Sequence, residues 1–398
     1  MKKFKSLMAF CLTASMFFTA CQSNTANNSE TSNDVKSNTQ QSQTSSADTI
    51  KLGALGPLTG DVAIYGVTAT NGAKLAVEEI NKNGGIDGKQ IEFILEDEKG
   101  DTTEATNAYT KLQGEGIVGL IGDITSKPTV AVAELANEDK VPMITPTGTQ
   151  FNITEGKEFV YRVCFTDPFQ GEVLAQYAAD DMKVKKVAIL TNNSSDYSQG
   201  VAKSFKDEAE KLGLEIVAEE SYGDADTDFS AQLTNIAKAD PEVLMVPDYY
   251  QKIALLAPQA KSAGIEAKFI GPDGWDGVIE QLKGDTSTVD GALFTNHYSL
   301  DDKSDKVQNF VNSYKDEYGE NPSSFSALSY DAVYMMKQAI EEAGSTDPQA
   351  ISDKLANIDF EGVTGKLKFD ENHNPIKSVS IIKIDGDKYS LDTVKDVK

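Results

Sequence analysis

The sequence is poor in the side chains that most chemistry uses. Its 398 residues hold two histidines, three cysteines and one tryptophan. Neither His297 nor His373 has a metal-spaced neighbour, which argues against a histidine-based metal centre. A Ser–His–Asp set would need one of them, yet no Gly-x-Ser-x-Gly elbow is present. Cys11 and Cys21 lie near the amino terminus, so Cys164 is alone in the body of the chain. It has no partner for an internal disulfide and reads as a small buried apolar residue. Basic side chains are also scarce, 37 against 62 acidic ones, a net charge of −25. So acidic a chain argues against nucleic acid as a partner and implies a self-repelling surface. No apolar run reaches the roughly 20 residues of a membrane-spanning helix.

What is present begins with an address. Lys2, Lys3 and Lys5 precede a 14-residue apolar stretch, Leu7–Ala20, which has the pattern of a secretory signal. The stretch ends Phe18-Thr19-Ala20-Cys21, which resembles a bacterial lipobox with a loose first position. In such signals the peptide is cut before the cysteine, and Cys21 would carry the lipid. A plain signal peptide with an incidental cysteine is the alternative. Of the 27 residues from Gln22 to Asp48, 20 are Ser, Thr, Asn or Gln. Such a tract cannot bury a core and reads as a flexible tether with a reach of roughly 30 Å. The expectation is a signal peptide over 1–20, a lipidated cysteine and polar tether over 21–48, and an exported body on the outer face of a bacterial cytoplasmic membrane.

From Thr49 onward, short apolar runs alternate with helical patterns, the signature of βαβ units around parallel sheets. Ile50–Leu55, Ile91–Glu96, Ile117–Ile121 and Pro142–Thr145 read as strands. Helices span about Val67–Asn83 and Thr103–Gln113, and a third starts near Pro128 with Ser126 as its cap. A second set begins with a helix near Pro168. Its strands are Lys186–Leu190, Leu214–Ala218, Val243–Pro247, Lys268–Gly271 and Gly291–Thr295. Three helical runs, Lys303–Tyr318, Phe325–Ala343 and Pro348–Ile358, precede short strands near Leu367–Phe369, Val379–Ile384 and Lys388–Val394.

Nucleotide binding is the obvious role for glycine loops in such a chain, and the spacing refuses it. Gly53-x-x-Gly56-x-x-x-Gly60 does not have the dinucleotide spacing. Gly88-Lys89-Gln90 lacks the upstream glycine and the Ser/Thr of a phosphate loop. The run Asp224-Ala-Asp-Thr-Asp228 lacks the sixth-position glycine and twelfth-position glutamate of a calcium loop, and Asp228 reads better as a helix cap. No catalytic set or cofactor site survives.

What remains lies at strand ends. Tyr65, Ser126, Thr147, Thr149, Tyr197, Tyr249, Asp273 and Trp275 all follow predicted strands, the edge at which open α/β sheets bind ligands. Hydroxyls and helix N-termini there suit a carboxylate, an acid suits an ammonium, and rings enclose an apolar side chain. A small zwitterion fits this set.

Taken in order, the lipobox, Gly56-Pro-Leu-Thr-Gly60, Ala69-x-x-Gly72-Ala73, Asn83-Gly-Gly-Ile86, Ile144-Thr-Pro146, Asp228-Phe-Ser230 and Gly271-Pro-Asp-Gly-Trp275 resemble one family. It is the branched-chain (Leu/Ile/Val) amino-acid binding proteins of bacterial ABC importers, with the type I periplasmic-binding-protein fold. The resemblance implies two Rossmann-like lobes with parallel central sheets and three crossings, near Cys164–Asp167, Asn296–Tyr298 and Ile358–Gly362. The lobes would be 49–165 with 297–358, and 166–296 with 359–398. It further implies that Ser126 and the Thr147-Gly148-Thr149 turn hold the ligand's carboxylate and ammonium. Asp273 would pair with the ammonium, Tyr65, Tyr197 and Tyr249 would surround the ligand, and Trp275 would shape the side-chain pocket or cover the hinge. The implied role is a monomeric binding protein, not an enzyme, that delivers an amino acid to an ABC permease. A sensory receptor domain of the same fold, or one for another amino acid or amide, is the alternative.

Overall fold

A computed structural model describes residues 49–395. The expected signal peptide, Cys21 and the tether lie outside the described residues.

The first lobe is built on strands β1 (Thr49–Gly56), β2 (Gln90–Asp97), β3 (Gly119–Ile121), β4 (Met143–Thr145) and β5 (Val160–Arg162). They pair in the order β2-β1-β3-β4-β5, all parallel. Helices α1 (Ala63–Lys82), α2 (Thr102–Gly114) and α3 (Ser126–Glu138) connect them. The central strands β3 and β4 and the edge strand β5 are buried along their length, as parallel strands covered on both faces must be. Asp101 caps α2 by accepting from the amides of Thr103 and Glu104.

The chain then passes through α4 (Asp167–Gln176), which runs on into a wider turn over Tyr177–Asp181. The second lobe holds β6 (Lys186–Asn192), β7 (Glu215–Tyr222), β8 (Val243–Met245), β9 (Lys268–Gly271) and β10 (Leu293–Asn296). They are joined by α5 (Asp196–Leu212), α6 (Ser230–Ala239), α7 (Tyr250–Ser262) and α8 (Val278–Leu282). Next come α9 (Asp305–Tyr318), α10 (Ser324–Ala343), α11 (Pro348–Leu355) and a hairpin of β11 (Phe360–Gly362) and β12 (Gly365–Leu367). Strands β13 (Val379–Asp385) and β14 (Lys388–Lys395) end the described chain. The second sheet runs β14-β13-β10-β9-β8-β6-β7, with β13 and β14 antiparallel beside the parallel strands.

In both lobes the first strand lies between the second and third, so each sheet has a switch point beside its first strand. Helix α10 returns to the first lobe and packs along α1. Gly72 makes this approach possible, because a Cβ there would sit 2.0 Å from the Ser326 carbonyl oxygen.

The hydrophobic cores locate the crossings between lobes. Val163 and Cys164 belong to the core of the first lobe, and Phe165 to that of the second. The return after β10 runs through Asn296–Ser299, where Tyr298 packs with Leu75 and Phe310. Phe360 and Leu367 still pack in the first core, while Val379 belongs to the second. The last crossing therefore lies within 368–378, not at Ile358–Gly362. The hairpin that intervenes carries too little hydrophobic pattern to announce which lobe it joins.

Other differences are local. Helix α1 starts at Ala63, four residues before the expected start, so Tyr65 stands on its first turn and not in a loop. Ser126 is the first residue of α3, not its cap; Thr125 is the cap residue, with no side-chain cap bond. Strand β5 has no counterpart in the sequence reading, because the buried Arg162 interrupts its apolar run.

Candidate functional site

Equivalent strands of the two sheets deliver the site. After β1, β3 and β4 of the first sheet come Tyr65, Ser126 and the turn Thr147–Thr149. After β6, β8 and β9 of the second come Tyr197, Tyr249 and Asp273. All of these except Gly148 line one small cavity between the lobes, together with Ile124, Thr125, Gly274 and Phe325. The centre of a water-sized sphere has about 10 Å³ in which to move there, room for roughly one water. The lobes meet around this cavity, and beside it a wider cleft of about 840 Å³ opens between Asp61–Ile64 and Thr125 of the first lobe and Ser195–Tyr197 and Tyr249–Lys252 of the second. Tyr65 and Tyr250 bridge the lobes: the Tyr65 hydroxyl donates to the Gly274 carbonyl, and the Tyr250 hydroxyl donates to the Asp61 carbonyl at 3.0 Å.

One end of the cavity is built from hydroxyls. The Ser126 Oγ accepts from the Thr149 amide at 3.2 Å and lies 3.3 Å from the Thr149 Oγ1. Ser126 opens the thirteen-residue α3, whose first amides have no intrahelical acceptor and carry the positive end of the helix dipole. Arg162, fully buried, braces the turn from behind. Its guanidinium donates to the carbonyls of Gly148, Gln150 and Phe151 and to the Thr154 hydroxyl at 2.8–3.1 Å. Its two terminal nitrogens are thus spent on this turn and Thr154, while Nε has no partner. Gly148 stands outside the cavity lining, its amide on the Thr145 hydroxyl and its carbonyl also facing the Cys164 thiol.

The opposite end is acidic. Asp273 Oδ1 accepts from Gln170 Nε2 at 3.0 Å and from the Tyr197 hydroxyl at 2.9 Å, and Oδ2 lies 3.2 Å from His297 Nε2. Burial pushes His297 down to about 4, so the ring is neutral at pH 7. Its Nδ1 has no partner, which puts the proton on Nε2, facing the carboxylate. A second acid, Asp167, stands by the hydroxyl end: it begins α4, its amide donates to the Thr149 carbonyl at 3.0 Å, and it is 2% exposed. Neither of its carboxylate oxygens has a hydrogen-bond donor, although Thr149 lies nearby. Burial raises its pKa strongly, and the charge of Asp273 adds to the rise. No Lys or Arg among the described residues forms an ion pair with either acid.

The rings close the walls. Tyr65 stacks on Phe325 at 4.2 Å and meets Tyr249 edge-on at 5.5 Å, while Tyr249 stacks on Tyr197 at 4.8 Å. Gly274 keeps the space open beneath them, since a Cβ there would come within 2.8 Å of the Tyr197 hydroxyl.

Residues 49–388 match the family model described as periplasmic binding protein. The chain belongs to the periplasmic binding protein family. This periplasmic binding protein is 32% identical over 327 residues to the leucine-, isoleucine-, valine-, threonine- and alanine-binding protein of Pseudomonas aeruginosa, covering 82% of this chain and 87% of that one. Among solved structures it is similar to the branched-chain amino acid transporter substrate-binding protein LivJ of Streptococcus pneumoniae in complex with isoleucine. That likeness is 36% in identity, with a TM-score of 0.82 over 88% of this chain and 99% of the other. The leucine-binding protein LivK of Thermotoga maritima gives 32% identity and a TM-score of 0.82 over 87% and 99%. The architecture is accordingly the two-lobed α/β fold of type I periplasmic binding proteins.

Within this binding protein, Trp275 stands apart from the cavity. Its indole lies against Gly271 and donates to the Val246 carbonyl at 2.9 Å, inside the core of the second lobe. It braces β8 against β9 and is not among the residues that line the cavity. The sequence reading passes over Asp167, Gln170, Phe325, Arg162 and His297. Asp167 and Phe325 sit at the first turns of helices, where a capping or core role looks sufficient. Arg162 does carry a signal, a lone cation within Val160-Tyr-Arg-Val-Cys164.

Proposed function

We propose that the protein captures a free amino acid, most favourably leucine, isoleucine or valine, between its lobes and delivers it to an ABC permease. The observation that carries this reading is the polarity of the cavity. A buried carboxylate, Asp273, with no Lys or Arg partner among the described residues, faces hydroxyls and a helix N-terminus across a ring-lined space. A zwitterion satisfies both ends at once, its ammonium at Asp273, its carboxylate at Ser126, Thr149 and the start of α3. The names of the relatives support branched-chain side chains, and the walls of Tyr65, Tyr249, Tyr197 and Phe325 suit an apolar one.

Only the closed form makes both sets of contacts, so ligand shifts the population of open and closed lobes. We draw the first lobe as 49–165 with 297–367 and the second as 166–296 with 379–395. The protein works by binding and not by catalysis, needs no cofactor, and acts as a monomer. It is exported, cut before Cys21, and anchored through lipid on that residue to the outer face of the cytoplasmic membrane; the lipobox-like Phe18-Thr-Ala-Cys21 and the polar tract behind it support this address.

Thermal unfolding of ligand-stripped protein against each of the twenty amino acids and a few amides tests the reading. A ligand at a hundred times its Kd stabilises by about 2.7 kcal/mol, a shift of several degrees. Leu, Ile or Val should give such a shift. No shift across the panel would overturn the assignment of an amino acid.

A further inference from the structure

Gln170 touches Asp273 twice. Its Oε1 accepts from the Asp273 backbone amide at 2.8 Å, and its Nε2 donates to the Asp273 carboxylate at 3.0 Å. The same Oε1 accepts from the Thr295 hydroxyl at 2.7 Å. Gln170 is fully buried and lies on α4, just beyond the first crossing; Thr295 lies on β10, which leads into the second. His297, the next residue but one, meets the other oxygen of Asp273 and stacks on Phe165 with ring centres 3.7 Å apart. Phe165 itself follows Cys164, where the chain first changes lobes. The acid of the site is therefore fastened to both of these crossings.

We propose that Gln170 is the positioning residue that aims Asp273 at the ligand's α-ammonium group and makes the site demand one. This rests on the amino-acid reading of the cavity. An amide side chain is suited to the task because it both donates and accepts, so one residue fixes the backbone and the carboxylate of the same acid. All the donors on Asp273, from Gln170, Tyr197 and neutral His297, are uncharged. They hold the carboxylate in place without cancelling its charge, which is left for a cation to meet. A lysine or arginine at this position would supply that cation from within and remove the need for the ligand's own.

The test uses the full-length chain, stripped of carried-over ligand, with calorimetric titration of L-leucine and L-valine. Their des-amino counterparts, 4-methylpentanoate and 3-methylbutanoate, serve as the controls. Gln170→Met should weaken binding of both amino acids at least tenfold and change the des-amino acids less than twofold. Gln170→Glu keeps the shape and both acceptor contacts, but needs a proton to donate to Asp273. Its amino-acid affinity relative to the wild type should rise as pH falls from 8 to 5.5. The Gln170→Glu series decides the matter if Gln170→Met does not fold. Equal losses for amino acids and des-amino acids would make Gln170 a mere prop of the lobe and overturn the proposal. So would unchanged amino-acid affinity, or a Gln170→Glu profile parallel to the wild type. A wild-type protein that binds neither L-leucine nor L-valine would instead overturn the reading of the cavity itself.

Discussion

Replacing Asp273 by Asn separates the charge of the site from its shape. The amide oxygen can still accept from Gln170 Nε2 and the Tyr197 hydroxyl, the two donors now on Oδ1. The amide nitrogen then faces His297 Nε2, which donates to the carboxylate in the native protein. The imidazole is neutral and its Nδ1 is unpartnered, so moving the proton to Nδ1 lets Nε2 accept. The fold should therefore survive with a stability change of about 1 kcal/mol or less. What is lost is a charge-assisted hydrogen bond to the ligand's ammonium, about 1.5–3 kcal/mol. At about 1.4 kcal/mol per decade, that is roughly 10- to 150-fold in Kd. Asp273→Ala also removes the acceptor for all three donors and should lose more than tenfold as well. Calorimetric titration at pH 7, with circular dichroism as the fold control, measures both variants. Affinity for amino acids within threefold of wild type would refute the pairing.

Two further expectations concern the scaffold of the site. Glu98 and Asp123 are buried carboxyl groups, each with one oxygen on a backbone amide and the other without a partner. Burial pushes Glu98 up to about 9, with the charge of Asp123 adding to it, and burial pushes Asp123 up to about 7. Both folded values lie above the unfolded ones near 4, so the native state keeps protons that the unfolded chain has released. Stability should thus fall as pH rises from about 4 to about 9, by about 1.4 kcal/mol per pH unit for each proton retained. Glu98→Gln supplies a permanent N–H in place of that proton and should flatten the decline between pH 6 and 9 in thermal unfolding; an unchanged slope would contradict this. Gly274→Ala puts a methyl 2.8 Å from the Tyr197 hydroxyl. It should weaken ligand binding more than tenfold by titration with little change in melting temperature, and unaltered affinity would show that the ring wall yields.

The parts of the fold that the sequence announces are those with one strong period. β1, β2, β6 and β9 read directly, because each is a short apolar run between turn signals, and α10 because its apolar face repeats every three or four residues. The site is legible to the extent that it follows those strands: Ser126, Thr147 and Thr149 from one lobe, Tyr197, Tyr249 and Asp273 from the other. The failures have physical causes. Arg162 hides β5, since a fully buried guanidinium becomes intelligible only once the carbonyls it serves are in place. Trp275 stands beside Asp273 in sequence but points into the core, an orientation that a strand-end position does not reveal. Gln170 and Asp167 belong to a helix start, where polar side chains need no other explanation than capping or exposure. The role of Gln170 comes from a loop some hundred residues away, a contact made only when the second lobe is assembled.

Calorimetric titration of the ligand-stripped protein with L-leucine, 4-methylpentanoate and leucinamide tests the central claim most directly. The three share one side chain and differ in which charged ends they carry. A cavity with an acid at one end and hydroxyls with a helix N-terminus at the other should bind L-leucine at micromolar Kd or tighter, and either analogue at least tenfold more weakly. Equal binding of L-leucine and 4-methylpentanoate would contradict the role of Asp273. Equal binding of L-leucine and leucinamide would contradict that of Ser126 and the start of α3.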